Sequence, residues 1–164
     1  MEKRRLNYIR KLNKMSDNIT IKRIATLHPK LRSECAEIVA SINNAGVGLR
    51  ITQAYRTFDE QKALYDKYVK GGPKAAPPGL SYHNYGLAID FCLLHTDGSI
   101  SFNMSEDMDK DKKADWMEVV NAFTAKGWKW GASFKDNDHL EKSFSYDIHI
   151  LQTMKKDKDG YPMI

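Results

Sequence analysis

The stretch Ser81-Tyr82-His83-Asn84-Tyr85-Gly86-Leu87-Ala88-Ile89-Asp90 constrains this chain more than any other. It sets a histidine and an aspartate seven residues apart, with the acid inside the apolar run from Leu87 to Leu94. In a continuous strand the two would lie roughly 23 Å apart on opposite faces. In one helix they would share a face but sit roughly 10 Å apart along the axis. For both to reach one point the chain must bend between them, and Gly86 is where a bend costs least. Leu87 to Leu94 then reads as a buried strand that projects Asp90 from a rigid element, with His83 on a loop or strand end.

A second cluster, Asp136-Asn137-Asp138-His139, lies further along the chain. Asp136 and His139 are three apart, so a single turn can point both to one side. The two clusters together offer two imidazoles, a carboxylate and a spare carboxylate. That matches a catalytic zinc centre, which uses three protein ligands, an open fourth position and a base. Blander readings exist for each residue taken alone. A histidine can be a satisfied core or surface residue, and an aspartate in a strand can pair with an arginine. An acid inside an apolar run is nevertheless costly unless it is paired or metal-bound.

The pattern S-x-H-x-x-G-x-A-x-D followed by D-x-x-H resembles the zinc D,D-carboxypeptidase/L-alanyl-D-glutamate endopeptidase family. That family includes VanY-type carboxypeptidases, VanX-type dipeptidases and phage endolysins. Ser81, His83, Gly86, Ala88 and Asp90 match the first motif. The upstream Tyr55-Arg56-Thr57-Phe58-Asp59-Glu60-Gln61, leading into Leu64-Tyr65, resembles the family's Y-R-(S/T)-x-x-E-Q-x-x-L-Y segment. His139-Leu140-Glu141 resembles its H-F-E ending. The likeness covers roughly residues 30 to 145. It implies that His83, Asp90 and His139 hold Zn2+, and that Asp136 is the general base, moving a proton from the attacking water to the leaving amine. It further implies that Arg56 faces the scissile carbonyl or a substrate carboxylate, with Ser81 and Gln61 as substrate contacts. On the residues alone, Arg56 could instead pair with Glu60 at i+4, and Gln61 could lie on a solvated helix face. The chain departs from the family at Leu140, where an aromatic is usual, at Ala54, where glycine is usual, and in the loop before Ser81. The loop difference leaves substrate preference open.

Length and composition are those of a single globular domain: 164 residues, 41% hydrophobic and 29% charged. No run approaches the roughly 20 apolar residues of a membrane span. Basic residues cluster at the two ends and dominate a net charge of +5. A polyanionic envelope or a nucleic acid would attract such ends. No nucleic-acid motif accompanies them, so solvated termini and no nucleic-acid partner are expected. Met1-Glu2-Lys3-Arg4-Arg5 is followed by no apolar h-region. The expectation is therefore a cytoplasmic protein until release to the cell wall, or a periplasmic or extracellular one if a signal has been trimmed. Cys35 and Cys92 are expected as buried free thiols, with Cys92 on the Asp90 face of its strand.

Residues 1–24 read as a basic lead-in, with a short helix over Leu6, Ile9, Leu12 and Met15. Residues 25–152 read as the peptidase domain and 153–164 as a charged tail. Within the domain, His28-Pro29 starts a helix with Leu31, Cys35, Ile38, Val39 and Ile42 on one stripe, ending at Gly46. Val47 to Ala54 reads as a strand and Asp59 to Lys70 as a helix. Gly71 to Gly79 is a Gly/Pro loop expected to rim the cleft. His95-Thr96-Asp97-Gly98 turns a hairpin, Trp116 to Phe123 is amphipathic, and Trp128 to Gly131 leads in as a strand. His95 and His149 are read as surface histidines outside the site. The order implies an α+β single domain with a small, mostly antiparallel sheet packed with helices.

The function expected is a zinc peptidoglycan peptidase acting on stem peptides, an endolysin-like monomer. The D-x-x-H spacing resembles the L-alanyl-D-glutamate endopeptidases, since VanX- and VanY-type enzymes tend to present Glu-x-x-His. The alternatives are a D,D-carboxypeptidase or dipeptidase, and a non-catalytic wall-binding module on the same fold.

Overall fold

The computed structural model describes residues 17–164, so the helix expected over Leu6 to Met15 lies outside the described residues. Asp17 opens helix α1 (Asn18–Ala25) by accepting from the Thr20 amide, and it also takes the Arg50 guanidinium through two hydrogen bonds, at 3.0 and 3.2 Å. One acid thus serves both as helix cap and as ion-pair partner to the first strand. Thr20 adds a second tie, its hydroxyl accepting from the Ile51 amide at 3.0 Å. Helix α2 (Pro29–Asn44) starts at His28, with Pro29 in the first turn, where its missing N–H costs nothing. Its buried residues Leu31, Cys35, Ile38, Val39 and Ile42 are the expected stripe.

Strand β1 (Leu49–Gln53) is followed by helix α3 (Phe58–Tyr68). Thr57 and Glu60 form a reciprocal capping box at the start of α3. The chain then runs through the Gly/Pro loop into a short 3-10 turn, Tyr82–Tyr85, and into β2 (Ala88–Leu94). Strand β3 (Ile100–Ser101) closes the expected hairpin. Helix α4 (Asp115–Thr124), β4 (Lys129–Trp130), β5 (His139–Glu141) and α5 (Ile148–Thr153) complete the order.

The sheet runs β1-β2-β5-β4, with β3 pairing the far end of β2, and all these pairings are antiparallel. This is the α+β single domain with a small antiparallel sheet that the sequence predicts. The period of two along β2 decides everything that follows. Ile89, Phe91 and Leu93 enter the core with α2 and α4, where Phe91 packs on Trp116 with ring centroids 4.5 Å apart. Asp90 and Cys92 therefore face the other way. On β5, Leu140 goes to the core, which puts His139 and Glu141 on the Asp90 face. The two cysteines are buried and unpaired, as expected.

The end of the chain returns to α1 and α2. The Tyr161 hydroxyl donates to the Thr26 carbonyl at 2.7 Å, and the Pro162 carbonyl lies 2.8 Å from the His28 ring. Among the described residues, no helix is long and apolar enough to cross a membrane.

Candidate active site

Asp90 and His139 are directly opposite each other across β2 and β5. Their shared face and register bring Asp90 Oδ1 to 3.1 Å from His139 Nδ1. His83 arrives from the 3-10 turn, and its Nε2 is also 3.1 Å from Asp90 Oδ1. The expected bend is at Gly86, which ends this turn with φ +68°. A side chain there would put its Cβ 2.6 Å from the His28 amide nitrogen, which donates to the Gly86 carbonyl. Glycine is thus required twice over, for conformation and for close approach.

Each histidine is fixed by its far nitrogen. His83 Nδ1 is 2.7 Å from the Ala54 carbonyl, and His139 Nε2 is 3.0 Å from Glu141 Oε2. Both of those oxygens are acceptors, so the protons of the neutral rings belong on those nitrogens. The lone pairs of His83 Nε2 and His139 Nδ1 then point at the Asp90 carboxylate. Three electron donors aimed at one spot, within 4.8 Å of one another, demand a cation between them or protons in its place. The donor set therefore fits a divalent metal held by two imidazoles and one carboxylate. Without a metal, protons take that role. Burial disfavours the charged His139 ring, but its hydrogen bonds to Asp90 and Glu141 win and raise its pKa to about 9. Burial would likewise raise the Asp90 carboxyl, yet the charge of His83 and the hydrogen bonds from both rings hold it well below the usual carboxylate range.

Asp136 lies beside this group and half exposed, its Oδ2 3.9 Å from His139 Nδ1. The turn that carries it is set by Gly131, whose carbonyl accepts from the Asp136 amide at 3.1 Å. A Cβ on Gly131 would fall 2.3 Å from the Asp136 carbonyl oxygen and 3.0 Å from the His139 Cβ. Asp138 hydrogen-bonds to Asp136. Its carboxyl pKa is raised by burial first, then by that bond and by the Asp90 charge.

Arg56 reaches the same centre from the end of β1. Its Nη2 is 3.8 Å from Asp90 Oδ2, and its Nη1 donates to Gln61 Oε1 at 2.9 Å. The pairing with Glu60 is excluded, because Glu60 accepts from the Thr57 amide in the capping box. The solvated-face reading of Gln61 is excluded too. Gln61 is 1% exposed, and its amide donates to the Ala76 carbonyl at 2.8 Å. The Gly/Pro loop is thus tied through Gln61 to Arg56, and through Arg56 to Asp90. Asn84 fixes the same region from below, donating to the Arg56 carbonyl at 2.9 Å and accepting from the Gly79 amide at 3.0 Å. Ser81 is half-buried at the start of the 3-10 turn, where its carbonyl accepts from the Asn84 amide.

His95 and His149 stay outside this cluster. His95 bonds Ser99 and Glu106 at the hairpin, and His149 is exposed beside Gln152. The orienting partners Ala54, Glu141 and Asn84 were not singled out as site residues in the sequence. Glu141 could have been, since it lies two residues after His139 on the same strand face. The Ala54 partner is a backbone carbonyl, which has no signature in a sequence. A cavity of about 710 Å³ lies elsewhere, between the turn after α2 and the β2–β3 hairpin. It contains none of the converging donors, and the chemistry is placed by those donors rather than by cavity size.

A histidine–aspartate–histidine donor set lies on one face of a small antiparallel sheet, with the Asp136 carboxylate and the Arg56 guanidinium beside it, an arrangement that fits a metallopeptidase. A family model described as D-alanyl-D-alanine carboxypeptidase matches residues 74–142, which include the donor set. The peptidoglycan L-alanyl-D-glutamate endopeptidase CwlK of Bacillus subtilis (strain 168) is 39% identical over 128 residues, 70% of this chain and 72% of that protein. The chain belongs to the zinc-type D,D-carboxypeptidase/L-alanyl-D-glutamate endopeptidase family. The fold agrees with the solved structure of the L-Ala D-Glu endopeptidase ChiX of Serratia marcescens, with a TM-score of 0.52 and 17% identity, over 77% of this chain and 88% of that one. It also agrees with the L,D-carboxypeptidase DacB of Streptococcus pneumoniae, with a TM-score of 0.50 and 20% identity, over 70% and 65% of the two chains.

Proposed function

We propose that this protein is a zinc-dependent peptidoglycan peptidase that cuts stem peptides as an L-alanyl-D-glutamate endopeptidase. The observation that carries the reading is the convergence of His83, Asp90 and His139 on one point, with Asp136 3.9 Å from His139. The 39% identity to an L-alanyl-D-glutamate endopeptidase supports the choice of bond.

In this reading His83 Nε2, Asp90 and His139 Nδ1 hold the zinc, with Ala54 and Glu141 fixing the two rings. Zinc in such a site polarises a carbonyl oxygen and lowers the pKa of water. Asp136, half exposed at the mouth of the site, accepts the proton of the attacking water and delivers it to the departing amine. Arg56 turns its free N–H groups toward the substrate, where a guanidinium stabilises a developing oxyanion or grips a carboxylate. Gln61 acts through Arg56 rather than on the substrate, since both ends of its amide are engaged within the protein. Ser81 and the Gly/Pro loop border the peptide.

The second reading, a D,D-carboxypeptidase, is favoured by the description of the family model over residues 74–142. Digestion of defined peptidoglycan followed by mass spectrometry separates the two. Cleavage after L-alanine supports the endopeptidase, and loss of a single terminal D-alanine overturns it in favour of the carboxypeptidase. No cleavage by zinc-loaded protein would refute both and leave a wall-binding module.

A further inference from the structure

The segment Asp107-Met108-Asp109-Lys110-Asp111-Lys112-Lys113-Ala114-Asp115-Trp116-Met117-Glu118 has no part in the site described above. Its acids fall at the first, third, fifth, ninth and twelfth places of a twelve-residue stretch. Those are the side-chain positions of a calcium-binding loop of the helix–loop–helix type, whose seventh place contributes a backbone carbonyl and whose sixth needs a residue for a sharp turn, normally glycine. Here the sixth residue is Lys112, and it takes the left-handed conformation glycine would supply, with φ +72°. Lys110 does the same at φ +60°. From this geometry we infer that residues 107–118 form a calcium site, held by the carboxylates of Asp107, Asp109, Asp111, Asp115 and Glu118 with the Lys113 carbonyl.

An acidic sequence can be merely a solvated turn, and the outer side of this loop does behave as one, with Lys113 pairing Asp111 at 2.9 Å. The inner side does not. Asp115 is fully buried, at 0% exposure. Its Oδ2 accepts from the Met108 amide at 2.9 Å, while its Oδ1 is buried with no hydrogen-bond partner among the described residues. Glu118 Oε2 is buried and unpartnered in the same way. An unpaired buried carboxylate oxygen is among the most costly groups a fold can hold. These two oxygens belong to carboxylates that face their neighbours. Asp107, Asp109 and Asp115 present oxygens within 4.8 Å of one another, as do Asp109, Asp111 and Glu118, so Asp109 joins the two groups. Asp115 and Glu118 are both pushed toward the protonated form, by burial first and then by the other acids. A bound dication would offset both with opposite charge.

Oxygen-only donors select a hard cation, and a flexible loop with six or more oxygens suits calcium better than magnesium, which demands a tight octahedron. The ion would fix the first turn of α4, because Asp115 and Glu118 both lie in it. Between them, Trp116 packs on Phe91 and donates from its indole to the Asn137 carbonyl at 3.3 Å. Calcium at this loop therefore braces the helix that supports the Asp136–His139 turn.

Isothermal titration of the zinc-loaded protein with calcium chloride tests this, since zinc already fills the histidine site. The expected result is one calcium per chain, with a Kd between about 10 µM and 1 mM and magnesium at least tenfold weaker. Calcium at about a hundredfold excess over Kd should raise Tm by roughly 5 to 10 °C. Glu118→Gln and Asp107→Asn should each weaken the binding at least tenfold. Trp116, next to Asp115 in the first turn of α4, serves as the sensitiser for terbium luminescence, which calcium should displace from the wild-type protein even if a variant fails to fold. Absence of saturable heat and of any Tm shift at about 5 mM calcium, a concentration above the weakest class of such sites, would overturn the proposal. So would undiminished binding in both variants, or equal affinity for magnesium.

Discussion

Asp90 and His139 form a directly opposed cross-strand pair, with Asp90 Oδ1 3.1 Å from His139 Nδ1. The His139 proton is what holds this pair together when no cation does, and that gives a defined pH dependence. The folded pKa of His139 is raised from 6.5 to about 9. A raised histidine contributes stability that is complete below the unfolded value and disappears as pH rises through the folded value. The contribution is about 3 kcal/mol at most. Asp90 works in the opposite sense. Its depressed pKa contributes above the ordinary carboxylate range and is lost as pH falls through the folded value. Chelated protein should therefore lose Tm steadily from about pH 6.5 to about pH 9. Zinc-loaded protein should show no such loss, because the metal keeps His139 deprotonated in the folded state. Calorimetry on both forms checks this, and a flat curve for the chelated form would count against the raised pKa of His139.

Glu141→Ala removes the acceptor that orients His139, whose Nε2 lies 3.0 Å from Glu141 Oε2. Zinc affinity should fall by about 10- to 100-fold, the usual cost of losing an orienting partner. Competition with a chelator of known affinity measures it. Unchanged affinity would mean that the strand alone holds His139 in place.

Much of this site was legible in the sequence because strands count in twos. Once Leu87 to Leu94 is read as a strand, the parity of Ile89, Phe91 and Leu93 assigns Asp90 to the opposite face without further information. The need for a bend between His83 and Asp90 follows from the distance argument, glycine's freedom places it at Gly86, and φ +68° bears it out. What distance and parity could not give was which partner each polar group takes in three dimensions. Arg56 and Glu60 have the spacing of a helical ion pair, but Arg56 precedes the helix and Glu60 is consumed by the cap at Thr57. Gln61 was open between a solvated face and a role in the site, because its burial depends on the Gly/Pro loop folding back over α3. The 107–118 loop was not singled out in the sequence, and the unpartnered oxygens of Asp115 and Glu118 are visible only once the backbone is placed.

Gly131→Ala should damage the site without touching a ligand. The added Cβ would lie 2.3 Å from the Asp136 carbonyl oxygen, a backbone atom that cannot swing aside as a flexible side chain would. The turn carrying Asp136 and His139 must shift. We expect a loss of about 1 to 3 kcal/mol in stability, as for overpacking elsewhere, together with weaker zinc binding. Denaturant unfolding and zinc titration give the two numbers. A variant with wild-type stability and zinc affinity would mean that the turn can relax away from Gly131.

Asp136→Asn should separate metal binding from catalysis. Asp136 is half exposed and is not one of the three converging donors, so the amide should leave zinc stoichiometry at about one per chain. It cannot accept the proton, and kcat should fall by about 10²- to 10⁴-fold. Elemental analysis and steady-state kinetics on the same preparation decide. Loss of zinc along with activity would make Asp136 a ligand.

Arg56→Lys is expected to be a severe catalytic variant with normal folding and zinc content. The guanidinium spends one nitrogen on Gln61 Oε1 at 2.9 Å, while another lies 3.8 Å from Asp90 Oδ2. That division of labour needs a planar group with several donors in fixed directions. A lysine ammonium can take the place beside Gln61 or approach the substrate, but it cannot hold both geometries at once. The expected loss in kcat/KM on a soluble stem peptide is about 10²- to 10³-fold, the scale for removing an oxyanion donor. Were Arg56 only a charge near Asp90, the lysine would preserve that charge and the loss would be less than about tenfold, or 1.4 kcal/mol. A near-wild-type kcat/KM would therefore remove Arg56 from the catalytic group, whereas a large loss confined to kcat would place its contact in the transition state rather than in substrate binding.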